Sequence, residues 1–243
     1  MDYKINVNRL KENENSNIKA FATVVFGESF KVSSIAIMDG KNGLYVQMPR
    51  YRTNDTDVEG RSVYRDFCNP ITKEFREELY SNILNTYENA EVNELYIGYN
   101  SGDKANEPDI DVLVTPYERD GAAIKGLASL FIGGQFVINN VQVLQGNGGT
   151  PFVSMPSYNT GKTDPKGHTI YQDICHPVTK EFRQNLYDTV LKQYQQAKKN
   201  QDKAIKAEQK KSAKKKTSEV KDKPTSRWCL SFTILMANLY VKL

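Results

Sequence analysis

Residues 45–87 and 152–194 are one segment written twice. They align without a gap at a spacing of 107, with 21 of 43 positions identical. Average amino-acid usage would give about three matches by chance. Met48-Pro49 returns as Met155-Pro156. Tyr64-x-Asp66-x-Cys68-x-Pro70-x-Thr72-Lys73-Glu74-Phe75-Arg76 returns as Tyr171-x-Asp173-x-Cys175-x-Pro177-x-Thr179-Lys180-Glu181-Phe182-Arg183. A chain that repeats a module carries two copies of that module's surface. A module that self-associates can then form its two-fold unit inside one polypeptide.

The repeat divides the 243 residues into module 1 (residues 1–90), a linker (91–108), module 2 (109–197) and a tail (198–243). Each module is large enough for a small core but marginal by itself. The start, Met1-Asp2-Tyr3-Lys4, shows no apolar run behind a basic cluster, so no secretory signal is expected. Three cysteines, two of them repeat equivalents, argue against a disulfide framework and for a reducing cytoplasm. The net charge of +4 conceals a division: the Lys-rich stretch 198–223 carries +7, and residues 1–197 carry −5. Nucleic-acid binding therefore cannot be read from the overall charge. It needs local basic patches, or the tail.

Along each module the pattern is strands, then a helix. Ile18–Phe26 and Phe30–Met38 flank Gly27-Glu28, and Ile124–Ile132 and Gln135–Leu144 flank Gly133-Gly134. Glycine at the first turn position predicts a type II′ hairpin in both copies. Asp39–Gly43 and Gln145–Gly149 read as turns, each followed by a short strand that ends at Pro49 or Pro156. The polar excursions 50–61 and 157–168 are long and rich in turn formers, so they read as exposed, mobile loops. Phe75, Leu79, Ile83 and Tyr87, and again Phe182, Leu186, Val190 and Tyr194, recur every four residues and predict one apolar helical face. Thr72 and Thr179 are the expected N-caps, with Glu74 and Glu181 in the first turn. The fold class is α+β: an antiparallel sheet with a C-terminal helix, twice. In the linker, Leu95-Tyr96-Ile97 reads as a strand or as a docking patch. Residues 198–226 read as disordered or as a fraying extension of the last helix. Trp228–Val241 turns apolar, but is short for a membrane span. An interfacial anchor, a docking strand and an accident of the chain end all fit it.

Little in the chain suggests catalysis. The two histidines, His168 and His176, align with Arg61 and Asn69 in the other copy. There is no nucleophile elbow and no phosphate-binding Gly-rich loop before a helix. Cys175-His176 lacks a second close pair to complete a metal site, and Cys68 and Cys175 read as small buried hydrophobes. No catalytic residue, metal or cofactor is expected. Asp66 and Asp173 read either as carboxylates that orient a nearby Arg or Lys, or as turn and cap partners.

Basic residues gather in two places. Arg50, Arg52, Arg61 and Arg65 lie in or after the first polar excursion, and Lys162, Lys166 and His168 in the second. Lys73 and Arg76, with Lys180 and Arg183, occupy the first helical turns. Tyr51 and Tyr158 stand beside the excursions. This is either a phosphate clamp with stacking aromatics or an ordinary solvated face.

The run Asp39-Gly40-Lys41-Asn42-Gly43-Leu44-Tyr45-Val46-Gln47-Met48-Pro49, then Asp66-x-x-x-Pro70-Ile71-Thr72, resembles the SpoVG family (stage V sporulation protein G, septation protein). Module 2 keeps Phe152-Val153-x-Met155-Pro156 and Asp173-Ile174-x-His176-Pro177-Val178. It departs at the turn, where Gln145 replaces Asp and Thr150-Pro151 is inserted. The resemblance implies small α+β proteins that dimerise through their sheets. It also implies bacterial, cytoplasmic, non-enzymatic regulators of septation and sporulation that bind DNA or RNA. The residues it assigns to nucleic acid are Arg50, Arg52, Lys73 and Arg76, with Lys180 and Arg183 in module 2. The basic loop signature survives as Arg50-Tyr51-Arg52. It is absent from Ser157-Tyr158-Asn159, so module 2 reads as chiefly a structural partner.

Together these observations describe a tandem regulator whose modules pair as an intramolecular pseudo-dimer, with one nucleic-acid face and no integral membrane span. Further homo-oligomerisation stays open. The alternative is a protein–protein interaction module of the division septum without nucleic-acid contact, with Tyr96 and Tyr99 as a docking patch.

Overall fold

The computed structural model describes all residues except 12–14, 91–94, 101–106, 118, 120, 147 and 222–243, and the backbone alone for 95–100 and 210–221. The apolar segment Trp228–Val241, Gly102-Asp103-Lys104, and the side chains of Tyr96 and Tyr99 therefore lie outside the described residues. Module 1 opens with an antiparallel meander of β1 (Tyr3–Arg9), β2 (Ile18–Phe26), β3 (Phe30–Gly40) and β4 (Gly43–Gln47). Alternation sets its inner face. Tyr3, Ile5 and Val7 of β1 and Ala20, Ala22, Val24 and Phe26 of β2 are buried. An antiparallel ribbon, β5 (Arg50–Thr56) and β6 (Ser62–Asp66), follows, then the short β7 (Cys68–Pro70) and helix α1 (Lys73–Asn89). The backbone of β8 (Leu95–Asn100) then pairs with β1, so the linker contributes an edge strand.

Module 2 repeats the order: β9 (Ile110–Pro116), β10 (Ile124–Ile132), β11 (Phe136–Gln145), β12 (Pro151–Ser154), the ribbon β13 (Ser157–Thr163) and β14 (Thr169–Asp173), β15 (Cys175–Pro177) and α2 (Lys180–Lys221). The α2 helix runs to Lys221, so residues 198–221 follow the helical extension rather than a disordered tail. Thr72 Oγ1 accepts from Phe75 N and Thr179 Oγ1 from Phe182 N, both at 3.3 Å. The expected stripes are buried against the sheets, with Leu79, Ile83 and Val190 fully so. Each such side chain contributes about 1.5–3 kcal/mol by burial.

The modules pair by exchanging strands. β7 of module 1 adds to β11 of module 2, with Cys68 opposite Ile138 and Pro70 opposite Phe136. β15 of module 2 adds to β3 of module 1, with Cys175 opposite Val32 and Pro177 opposite Phe30. Flanking backbone bonds repeat as well: Ile71 N donates to Gln135 O at 2.9 Å and Val178 N to Ser29 O at 2.8 Å. The long strands β3 and β11 thus pair with their own module at one end and with the other module at the opposite end. Ser34 and Asn140, at φ 62° and 61°, lie between the two pairings in both copies. A single core results, in which Phe26 and Phe136 meet at 5.1 Å between ring centroids.

Two expectations need correction. The hairpin turns carry positive φ at both central residues, Gly27 (50°) with Glu28 (54°) and Gly133 (53°) with Gly134 (63°). That is the type I′ combination, which matches the strand twist, and not type II′. The polar excursions are exposed, paired ribbons rather than irregular loops, and an aspartate described below closes each tip.

Candidate nucleic-acid interface

The first ribbon and the start of α1 meet at Asp66. Arg50 is its register partner across the ribbon, and both Arg50 and Arg76 act on its carboxylate. Partial burial nevertheless raises the Asp66 pKa, since desolvation outweighs the two cations. Asp66 thus stands beside basic groups from two elements. Arg50 lies over the ring of Tyr64, 4.8 Å from its centroid. Tyr64 is half exposed and Arg52 is opposite it in the register.

The six residues singled out in sequence separate in the structure. Arg50 and Arg52 project from the exposed ribbon. Lys73 is exposed on the first turn of α1 and lies 3.8 Å from Glu77 one turn on. Arg76 donates through Nη2 to the carbonyl of Pro70 at 2.9 Å. Arg183 repeats this to Pro177 at 3.0 Å. These two guanidiniums tie each helix to the exchanged strand before it. Lys180 is exposed on the first turn of α2. Tyr51 packs on Phe67 at 4.7 Å between centroids, which commits one of its faces to the protein. Tyr158 instead donates its hydroxyl to Gln172 Oε1 at 2.9 Å.

Sequence reading did not single out Tyr64 and Tyr171 for stacking, although they are more exposed than Tyr158 on the same pair of ribbons. Their signal was their place in the repeat, as the tyrosines two residues before Asp66 and Asp173. It also missed the ribbon tips. Asp57 accepts from the backbone N–H of Glu59 and Arg61 and, at 2.8 Å, from Arg61 Nε. Asp164 accepts from the N–H of Lys166 and His168, and its Oδ2 lies 3.0 Å from His168 Nδ1. Arg61 and His168, different in charge chemistry, therefore fill one structural role. Both aspartates are held below the usual carboxylate range, Asp57 chiefly by the Arg61 side chain and Asp164 chiefly by the His168 backbone N–H.

Between the first ribbon and the sheet of module 2 runs a groove of about 460 Å³, lined by Tyr51, Arg65, Asp66, Leu113, Leu127 and Asn139 among others. In module 2 the junction is different: Ser157 replaces Arg50 and Asn159 replaces Arg52. His176, in the exchanged strand, feels Asp173, Lys31 and Arg183. Burial lowers its pKa, and its buried Nδ1 has no hydrogen-bond partner among the described residues. Cys68 and Cys175 are buried free thiols pushed well up by desolvation, which makes both poor nucleophiles.

The same two halves appear in comparison with known proteins. The model of the family described as SpoVG matches residues 2–89 and again 109–196, more than half of the chain. The chain belongs to the SpoVG family. Curated SpoVG relatives named septation protein SpoVG match one module's length of it. The Staphylococcus saprophyticus protein is 37% identical over 86 residues, covering 35% of this chain and 77% of its own. The Staphylococcus aureus (strain JH9) protein is 38% identical over 84 residues, covering 35% and 76%. The Macrococcus caseolyticus protein is 34% identical over 76 residues, covering 31% of this chain and 61% of its own length. The SpoVG module thus occurs here as a tandem pair joined by strand exchange. Among the described residues no helix is long and apolar enough to cross a membrane.

Proposed function

We propose that this tandem SpoVG chain is a non-enzymatic, cytoplasmic regulator of the septation type that holds DNA or RNA against module 1. The names of its relatives support septation. The observation that carries the nucleic-acid reading is the exposed ribbon surface on which Arg50 lies over Tyr64 and Arg52 faces it in the register. Lys73 and Arg76 add cations at the start of α1 on the same module. An exposed Tyr64 lies between the ribbon arginines, suited to stacking against a base. Lys180 and Arg183 supply the weaker counterpart on module 2, and the Lys-rich C-terminal stretch adds sequence-independent attraction.

A salt titration of binding to short DNA and RNA tests this. Removing one phosphate-neutralising cation should flatten the log–log salt slope by about 0.9. R50A/R52A is expected to lower affinity and flatten the slope by about twice that amount, and removal of residues 198–243 to flatten it further. Absence of binding to either polymer at low salt, or an unchanged slope in R50A/R52A, would overturn the reading.

A second reading is protein docking in septum formation. The observation favouring it is the groove beside the ribbon, where Leu113 is 61% exposed and Leu127 38%. Capture of cell proteins that survives nuclease treatment and disappears in L113D/L127D would select it.

A further inference from the structure

The first ribbon has two faces. Along β5 and β6, Arg50, Arg52 and Tyr64 share one, and Tyr51 and its register partner Arg65 share the other. The second face looks onto module 2, where Leu113 and Leu127 form an exposed apolar floor to the groove. Asp66, at the foot of the ribbon, belongs to both: it feels Arg50 and it lines the groove. Asn139 gives the floor a fixed polar group. Its backbone N–H donates to Phe67 O at 2.7 Å and its Oδ1 accepts from Ser129 Oγ at 3.0 Å. Its Nδ2 has no hydrogen-bond partner among the described residues.

The second ribbon meets module 1 at the equivalent place, since Ser33 N donates to Ile174 O at 2.7 Å. The groove features do not recur there. The repeat puts Asn6 where module 2 has Leu113, Ser33 where it has Asn139, and Gln172 where the first ribbon has Arg65. Tyr158 donates its hydroxyl to Gln172, so that pair is closed on itself. Arg65 reaches Asp55 at 3.8 Å, beyond hydrogen-bond range, and both side chains are exposed. β8 pairs along the outer edge of β1, whereas among the described residues β9 ends its sheet. An open apolar floor, a loosely held guanidinium and a spare amide donor thus meet in the first groove.

Charge decides which form of nucleic acid suits this surface. The ribbon tip carries Asp55, Asp57 and Glu59, and Arg61 there is paired with Asp57 at 2.8 Å and with Glu59 at 2.9 Å. A ribbon that enters the major groove of a duplex leads with its tip between two rows of phosphates, and an acidic tip opposes that. The ribbon's other cations lie nearer its foot, on both faces. A duplex is stiff over this length and meets one face. A single strand can bend around a two-stranded ribbon, with its bases free for stacking and hydrogen bonds. We propose, on the nucleic-acid reading above, that the ligand of module 1 is a single strand that turns the foot of the first ribbon. Its phosphates lie on Arg50, Arg52 and Arg65, and one unpaired base sits in the groove, packed on Leu113 and Leu127 and hydrogen-bonded to Asn139.

Fluorescence anisotropy of the full chain with oligothymidylate, oligouridylate, an abasic strand of equal length and a duplex tests this. Physiological salt is used, where the denser charge of the duplex counts less. At least one of the two base-bearing strands is expected to bind about fivefold or more tightly than both the duplex and the abasic strand, the gain from seating one base. N139A should remove that gain and leave abasic and duplex binding unchanged. R65Q, on an exposed side chain with no hydrogen bond to lose, should flatten the single-strand salt slope by about 0.7 and leave the duplex slope alone. S33A, at the equivalent place over module 1, is the control and should bind as wild type. A duplex that binds as tightly as the single strands, an abasic strand that matches them, or a loss in S33A equal to that in N139A would overturn the base seat. If R50A/R52A weakens every ligand while R65Q and N139A change none, the nucleic-acid reading stands and the single strand in the groove does not. If no polymer binds, both fall. Capture of a cell protein through Leu113 and Leu127 that oligothymidylate does not displace would give the groove to protein instead.

Discussion

The guanidinium of Arg76 donates to the carbonyl of Pro70 at 2.9 Å, bridging the exchanged strand β7 and the first turn of α1. Arg183 and Pro177 repeat the bridge in the second copy. Both arginines are exposed, so the bond's value is reduced by solvent. R76A and R183A are each expected to lower unfolding free energy by about 1 kcal/mol, measured by urea denaturation. A lysine at either place keeps charge but not the fork, so R76K should restore the salt slope of nucleic-acid binding without restoring the urea midpoint. Full stability in R76A would mean that the bridge holds nothing.

Strand exchange leads to an expected oligomeric state. β7 lies on β11, and β15 on β3, so neither module completes its sheet alone. The full chain is expected to be a monomer by light scattering at micromolar concentration. Residues 1–108 alone should form a dimer in which each copy lends its Cys68–Pro70 strand to the other. A folded, monomeric module 1 would contradict the exchanged architecture.

The contrast between Phe75 and Cys68 shows what sequence made legible. Phe75, Leu79, Ile83 and Tyr87 recur with the helical period, and the structure buries all four. A period of that length is local and needs no partner to be read. Cys68–Pro70 is three residues long, ends in proline and bonds to a strand almost seventy positions away. No local pattern specifies that partner. Only the repeat hinted at it, by putting two self-complementary units on one chain. At the candidate interface, Arg50, Arg52, Lys73 and Lys180 were legible as exposed cations. The engagement of Arg76 and Arg183 with proline carbonyls was not, because a backbone acceptor leaves no mark in sequence. Arg61 and His168 looked like a broken equivalence, yet each meets the aspartate four residues before it.

Burial governs the two thiols of the strand exchange. Cys68 and Cys175 are both fully buried, with pKa values raised by desolvation. In a C229S background, which leaves only these two, native protein is expected to show no rapid reaction with a thiol reagent at pH 8. Two equivalents should react once urea unfolds the chain. Rapid native labelling would show that the exchanged strands open readily.

The ribbon tips differ in what holds the aspartate, and the difference can be titrated. Asp57 and Asp164 both lie below the ordinary value of 3.8. A depressed folded pKa means that the tip's contribution to stability is fully present above the unfolded value and is lost as pH falls through the folded one. Neutral pH changes should therefore leave both tips intact, and loosening should begin only in acid. The largest cause at Asp57 is the Arg61 side chain, whereas at Asp164 it is the His168 backbone N–H. R61A should therefore raise the Asp57 carboxyl titration, followed by NMR, further than H168A raises that of Asp164. If R61A leaves Asp57 where it was, the guanidinium does not close the first ribbon, and the shared role of Arg61 and His168 fails.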